Sequence, residues 1–108
     1  MDMTLREIGN TYGVSRRAVQ GYEKAGLVAA SGKNERGYLL YNEPLQDRIR
    51  QIRLFQQMGF NIKEIKNLID APGDVLKAVL ERQTEKLMKQ KENTEILIAK
   101  IYELIEKL

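Results

Sequence analysis

The sequence predicts a mostly α fold: a winged helix-turn-helix head with a small β-hairpin wing, then a long C-terminal coiled-coil helix. Three observations carry that expectation. Two short segments with helical apolar spacing flank a Gly-Val-Ser corner within residues 4–27. Two glycines bracket a charged tip just before a short β-prone run at residues 38–41. From residue 75 to 108 neither proline nor glycine occurs, and leucine and isoleucine recur at heptad spacing.

The elements follow in order. Thr4 and Glu7 have capping-box spacing, so a first helix starts at Leu5 with Leu5, Ile8 and Tyr12 on its apolar face. Gly13 turns the chain, Val14 plugs the corner and Ser15 caps a second helix. That helix turns Val19 and Tyr22 inward and stops at Gly26, with Leu27 placed to pack back in a Schellman arrangement. Its outward face carries Arg16, Arg17, Gln20 and Lys24. A recognition helix reads base edges mainly from its N-terminal residues; arginine suits guanine or phosphate, and glutamine suits adenine or a phosphate oxygen. The same residues also describe the solvated basic face of a small helical hairpin, and the helix pair alone leaves both readings open.

Residues 29–41 break the helical pattern, which suggests a hairpin or wing. Gly32 and Gly37 bracket Lys33, Asn34, Glu35 and Arg36 at its tip. Lys33 and Arg36 are placed to touch phosphates, or to keep an edge strand soluble. Asn42 caps the next helix, with Glu43 and Pro44 in its first turn. Leu45, Ile49, Ile52, Phe55 and Met58 give it an apolar stripe, while Arg48, Arg50 and Arg53 make it basic. Gly59 stops it, and Asn61 with Glu64 caps a short helix carrying Ile62, Ile65, Leu68 and Ile69 toward the core. Residues 70–74 form a turn and the one boundary in the chain, dividing a head of residues 1–70 from a dimerising helix of residues 71–108.

From residue 75 onward a single helix about 50 Å long is expected. Leu76, Leu80, Leu87, Leu97, Ile101, Leu104 and Leu108 form its seam, with Gln83, Gln90 and Thr94 in the middle. A lone helix cannot bury such a seam, so it needs a partner, and a second copy of the chain is the simplest one. Folding back on its own head is disfavoured by the helix's length.

Composition narrows the function classes. The net charge is +3, and all of the excess positive charge lies in residues 1–70, which suits a nucleic-acid-binding head with a footprint of a few phosphates. The chain holds no cysteine and no histidine. That removes disulfides, zinc fingers, soft-metal sites and imidazole bases, so no metal or cofactor is expected. No nucleophile–base pair or phosphate-cradling loop can be assembled, which argues against an enzyme. With no signal peptide and no run of membrane-spanning length, a soluble cytoplasmic protein is expected.

Four blocks at consistent spacing, LREIGNTYGVS, YEKAGLV, GYLLY and RIRQIRLFQQMGFNIKEIKNLI, resemble the MerR family of transcriptional regulators. The resemblance covers nearly the whole chain. It implies long helices paired antiparallel in a homodimer, and two heads on a pseudo-palindromic promoter site. Many members activate transcription by distorting promoter DNA whose spacer is too long for RNA polymerase, and others repress. Double-stranded DNA, a second copy of the chain and promoter-bound RNA polymerase are therefore the expected partners.

Position by position, Arg17 takes the place of the family's recognition-helix arginine, Tyr38 that of the wing tyrosine, and Arg36 lies near the charged wing tip. Gln20-Gly21 stands where the family usually has arginine and an aromatic, and Leu39 stands where a wing arginine is usual. Metal-sensing members place cysteines near the end of the dimer helix, and drug-sensing members carry a ligand domain after it. Neither effector site is expected here. The expected DNA contacts are Arg16, Arg17, Gln20 and Lys24 on the helix, with Lys33, Arg36 and Tyr38 on the wing. The alternative is a protein-interaction module of the same fold that has lost DNA binding. The self-pairing helix argues against a third reading, an excisionase-like architectural protein.

Overall fold

Thr4 starts α1 (Leu5–Tyr12) through reciprocal bonds: its Oγ1 accepts from the Glu7 amide at 3.3 Å, and its own amide donates to Glu7 Oε1 at 3.1 Å. Gly13, at φ 68°, ends the helix, and Val14 drops into the corner at 2 % exposure. Ser15 Oγ accepts from the Ala18 amide at 3.0 Å and opens α2 (Arg16–Lys24). The end of α2 is a Schellman motif. Gly26 adopts φ 78°, its amide donates to the Glu23 carbonyl, and the Leu27 amide donates to the Tyr22 carbonyl. Leu27 is buried there, as the spacing predicts.

The computed structural model describes all 108 residues, which fall into two compact units, Met1–Asp70 and Ala71–Leu108. In the first, the wing is an antiparallel pair of two-residue strands, β1 (Gly32–Lys33) and β2 (Leu39–Leu40), with Gly32 opposite Leu40 and Lys33 opposite Leu39. The strands are shorter than the β-prone run predicts, and Lys33 belongs to β1 rather than to the tip. The cause is Asn34. Its Oδ1 accepts from the Arg36 and Tyr38 amides, both at 3.0 Å, so Tyr38 is held in the tip outside β2. Gly37 closes this tip at φ 81°. Tyr41 then exchanges backbone hydrogen bonds with Met3, tying the chain start to the wing.

Asn42 caps α3 (Glu43–Gln57), accepting from the Leu45 amide at 3.1 Å. Gly59, at φ 104°, turns the chain toward α4 (Ile62–Leu68), which Asn61 and Glu64 open with a second capping box. Phe55 and Phe60 meet edge to face across that corner at 6.1 Å. The core of this unit draws on all four helices and the wing: Ile8, Val19, Tyr22, Tyr41, Ile49 and Ile65 are almost fully buried. Gln46 is the one buried polar residue. It accepts from the Tyr12 hydroxyl and donates to the carbonyls of Met1 and Tyr41. No buried side-chain polar atom lacks a partner.

The second unit is α5 (Gly73–Glu106), 34 residues long, or about 51 Å at 1.5 Å per residue. It begins two residues earlier than expected, so the turn predicted over residues 70–74 is shorter. Pro72 takes the cap position with φ −56°, and Gly73 and Asp74 enter the first turn, where an acidic side chain complements the helix dipole. No residue of α5 is buried within the chain. Leu87, Leu97, Ile101, Leu104 and Leu108 are all exposed.

Candidate nucleic-acid interface

The rotation of α2 about its own axis is fixed by two anchors, Val19 at 0 % and Tyr22 at 1 % exposure. With those residues inward, Arg16, Arg17, Gln20 and Lys24 fall on the outward arc, and all four are exposed. Gly21 lies among them, and a Cβ placed there would meet nothing within 4 Å. Tyr22 is locked further by its hydroxyl, which donates to Gln56 Oε1 on α3, and burial pushes its pKa up. Tyr41 donates to the Glu23 carboxylate from the other side of α2; burial first, and that bond second, push its pKa well up. Both tyrosines therefore hold the helix from behind and are kept from solvent.

The wing comes up beside this helix. A cleft of about 580 Å³ separates them, lined by Arg6 of α1, Arg16 and Gln20 of α2, and Arg36, Tyr38 and Leu39 of the wing. Three arginines line it and no carboxylate does. Nor is any of the three guanidinium groups paired, since the ion pairs of this unit lie elsewhere: Met1–Glu43, Arg48–Asp70 and Arg50–Asp47. The cleft is thus a site of unneutralised positive charge, suited to anions.

The structure brings together four of the seven residues that the sequence nominates: Arg16, Gln20, Arg36 and Tyr38. Arg17 and Lys24 stay on the open face of α2, and Lys33 is exposed on β1, outside the cleft lining. Arg6 is the addition. Its position on the polar side of α1 is readable from helical spacing, but no local signal shows that this side meets a wing 30 residues away.

The basic character of α3 is partly used internally. Arg48 Nε donates to the Leu27 carbonyl at 2.7 Å, and its guanidinium forks onto Asp70 at 3.0 and 3.1 Å. That bond holds the Asp70 carboxyl below the usual carboxylate range. Arg50 stacks over the Tyr12 ring at 4.9 Å and pairs with Asp47. No three acidic residues lie close enough to hold a metal ion, and no helix is long and apolar enough to cross a membrane.

Two capped helices around a glycine corner, a wing, and a second helix pair behind them make a winged helix-turn-helix head of the regulatory type. The chain belongs to the MerR family: residues 3–72 match the MerR HTH family regulatory proteins. It is 34 % identical over 101 residues to the HTH-type transcriptional activator mta of Bacillus subtilis, covering 94 % of this chain and 39 % of that one. It thus spans about two fifths of that relative's length. A MerR-family transcriptional regulator from Bacillus cereus superposes with a TM-score of 0.85 at 26 % identity, over 99 % of this chain and 82 % of the other. HiNmlR, a MerR-family regulator lacking the sensor domain and crystallised on promoter DNA, shares the fold with a TM-score of 0.72 at 19 % identity, over 91 % and 79 % of the two chains.

Proposed function

We propose that this chain is a sequence-specific DNA-binding transcriptional regulator, acting as a homodimer on a pseudo-palindromic promoter site. The observation that carries this reading is the exposed, unpaired cationic face of α2 beside the wing, in a chain of a regulator family. In this reading the head, residues 1–70, lays α2 in a major groove. Arg16 and Arg17 meet base edges or phosphates from the first turn, and Gln20 and Lys24 follow along the groove. Lys33, Arg36 and Tyr38 reach the flanking backbone from the wing. HiNmlR, of the same fold, is bound to promoter DNA, which supports duplex DNA as the partner.

Residues 71–108 supply the dimer contact through Leu76, Leu80, Leu87, Leu97, Ile101, Leu104 and Leu108, paired antiparallel with the same seam of a second copy. A two-fold dimer presents two α2 helices to related half-sites, which is why the site is pseudo-palindromic. RNA polymerase at the promoter is then the partner through which binding becomes regulation, in the cytoplasm.

Selection of bound sequences from a random DNA pool tests this. A recovered inverted repeat is the expected result. Leu39, an apolar residue on the cleft wall, favours the second reading, a protein-interaction module. Binding to no duplex better than to an acidic polymer would make that second reading the better one.

A further inference from the structure

We infer that Arg6, on α1, joins Arg16 and Arg36 in seating one backbone phosphate of duplex DNA in the cleft between α1, α2 and the wing. The inference rests on the DNA-binding reading and adds to it a site and a residue outside the recognition helix and wing. Arg6 comes from a third element, yet it lines the same cleft as Arg16, Gln20, Arg36 and Tyr38. Three like charges gathered around one cleft repel one another unless an anion sits among them. No carboxylate lines the cleft and none of the three guanidinium groups is ion-paired; the Glu7 carboxylate, at the cleft edge, is bonded to Thr4 instead.

The donor chemistry fits a phosphodiester. Planar guanidinium groups match phosphate oxygens, and the Gln20 amide and Tyr38 hydroxyl offer neutral donors beside them. Continuity points to a duplex rather than a free anion. Arg16 and Gln20 belong at once to the cleft and to the outward arc of α2, so a strand flanking the groove that α2 occupies runs past the cleft mouth. Arg6 is exposed and carries no ion pair or hydrogen bond of its own side chain, so folding gives no account of its placement.

The test is a set of binding titrations with the full chain, at several salt concentrations, on a pool-selected duplex and on random duplex. Arg6→Ala is expected to weaken binding several-fold and equally on both, and to reduce the slope of log affinity against log salt by about 1. Arg6→Lys should restore the slope, and Lys66→Ala on α4 should change neither quantity. Arg6→Gln is the second neutralising variant if Arg6→Ala lowers the melting temperature. If Arg6→Ala and Arg6→Gln bind like wild type while Arg17→Ala is weakened, the phosphate seat is wrong and the DNA reading stands. A loss confined to the selected duplex would make Arg6 a base reader and overturn the phosphate assignment. Arg6-dependent binding of inorganic phosphate at submillimolar concentration would assign the cleft to a small anion and overturn the duplex assignment. Wild type with no preference for duplex over an acidic polymer would remove both readings together.

Discussion

Gln46 shows how a single residue orders this head. It sits at 4 % exposure and satisfies three groups from distant parts of the chain: the Tyr12 hydroxyl, the Met1 carbonyl and the Tyr41 carbonyl. Gln46→Ala removes the bonds to the Tyr12 hydroxyl and the Met1 carbonyl, and leaves the Tyr41 carbonyl with the Met3 amide alone. The expected loss is about 1–3 kcal/mol, the cost of unsatisfied buried polar groups, read as a lower denaturant midpoint. Arg17 is the opposite case, since it is exposed and bonded to nothing in the head. Arg17→Ala should leave stability unchanged. In the DNA-binding reading it should cost about 1–3 kcal/mol of affinity and relax the preference at one base pair if it reads a base. If it holds a phosphate, the loss should instead be equal on all sequences. Titration of a selected site and of random DNA separates the two.

At the scale of elements, the helix ends were legible in the sequence because their signals are local. Thr4 with Glu7, Ser15, Asn42, and Asn61 with Glu64 each need only three residues to satisfy a first turn, and all four cap where spacing places them. The short strands were not legible, because Asn34 outcompetes the ladder for the Tyr38 amide, and propensity contains no such competition. The cleft was legible only in part. Residues 16 and 20 share a helix face, whereas Arg6, Arg36 and Tyr38 join them only once tertiary packing sets α1 and the wing beside α2.

Two glycines give an element-scale test of opposite signs. Gly21 lies in the exposed interior of α2 with open space around it, so Gly21→Ala should stabilise by about 1 kcal/mol through helix propensity. Gly13 also has open space, but its φ of 68° is left-handed, so Gly13→Ala should destabilise by about 1–2 kcal/mol. Thermal unfolding of the two variants should move in opposite directions, and movement in the same direction would refute this account of the corner. The fork from Arg48 to Asp70, which ties the end of α4 to α3, gives a pH test. Asp70 has a lowered pKa, so its contribution is present above the ordinary carboxylate range and is lost as pH falls through the lowered value. Asp70→Asn should therefore flatten the acid limb of the stability profile, by a small amount because the pair is largely exposed.

At the scale of the whole molecule, α5 poses the remaining physical problem. A 34-residue helix with no buried residue carries exposed leucine and isoleucine along a heptad seam from Leu87 to Leu104, and Leu108, expected in that seam, lies just past the helix end. Each exposed leucine or isoleucine of the seam that a partner buries contributes about 1.5–3 kcal/mol, so the seam as a whole outweighs the cost of association. A dimer at micromolar protein is the expected outcome. Gln83, Gln90 and Thr94 interrupt the apolar seam at its centre, where polar residues specify register at a cost in stability. Gln90→Leu should thus tighten the dimer while loosening its register. Leu97→Asp with Ile101→Asp should break it, because each would bring an unpaired carboxylate into the seam. Sedimentation should then show dimer for the wild type and monomer for the double variant, with near-UV spectra of the head unchanged. Binding to an inverted repeat should fall with the dimer, to the level of the half-site alone. A double variant that stays dimeric would place the interface outside this seam, and a wild type that sediments as a monomer would leave α5 awaiting a different partner.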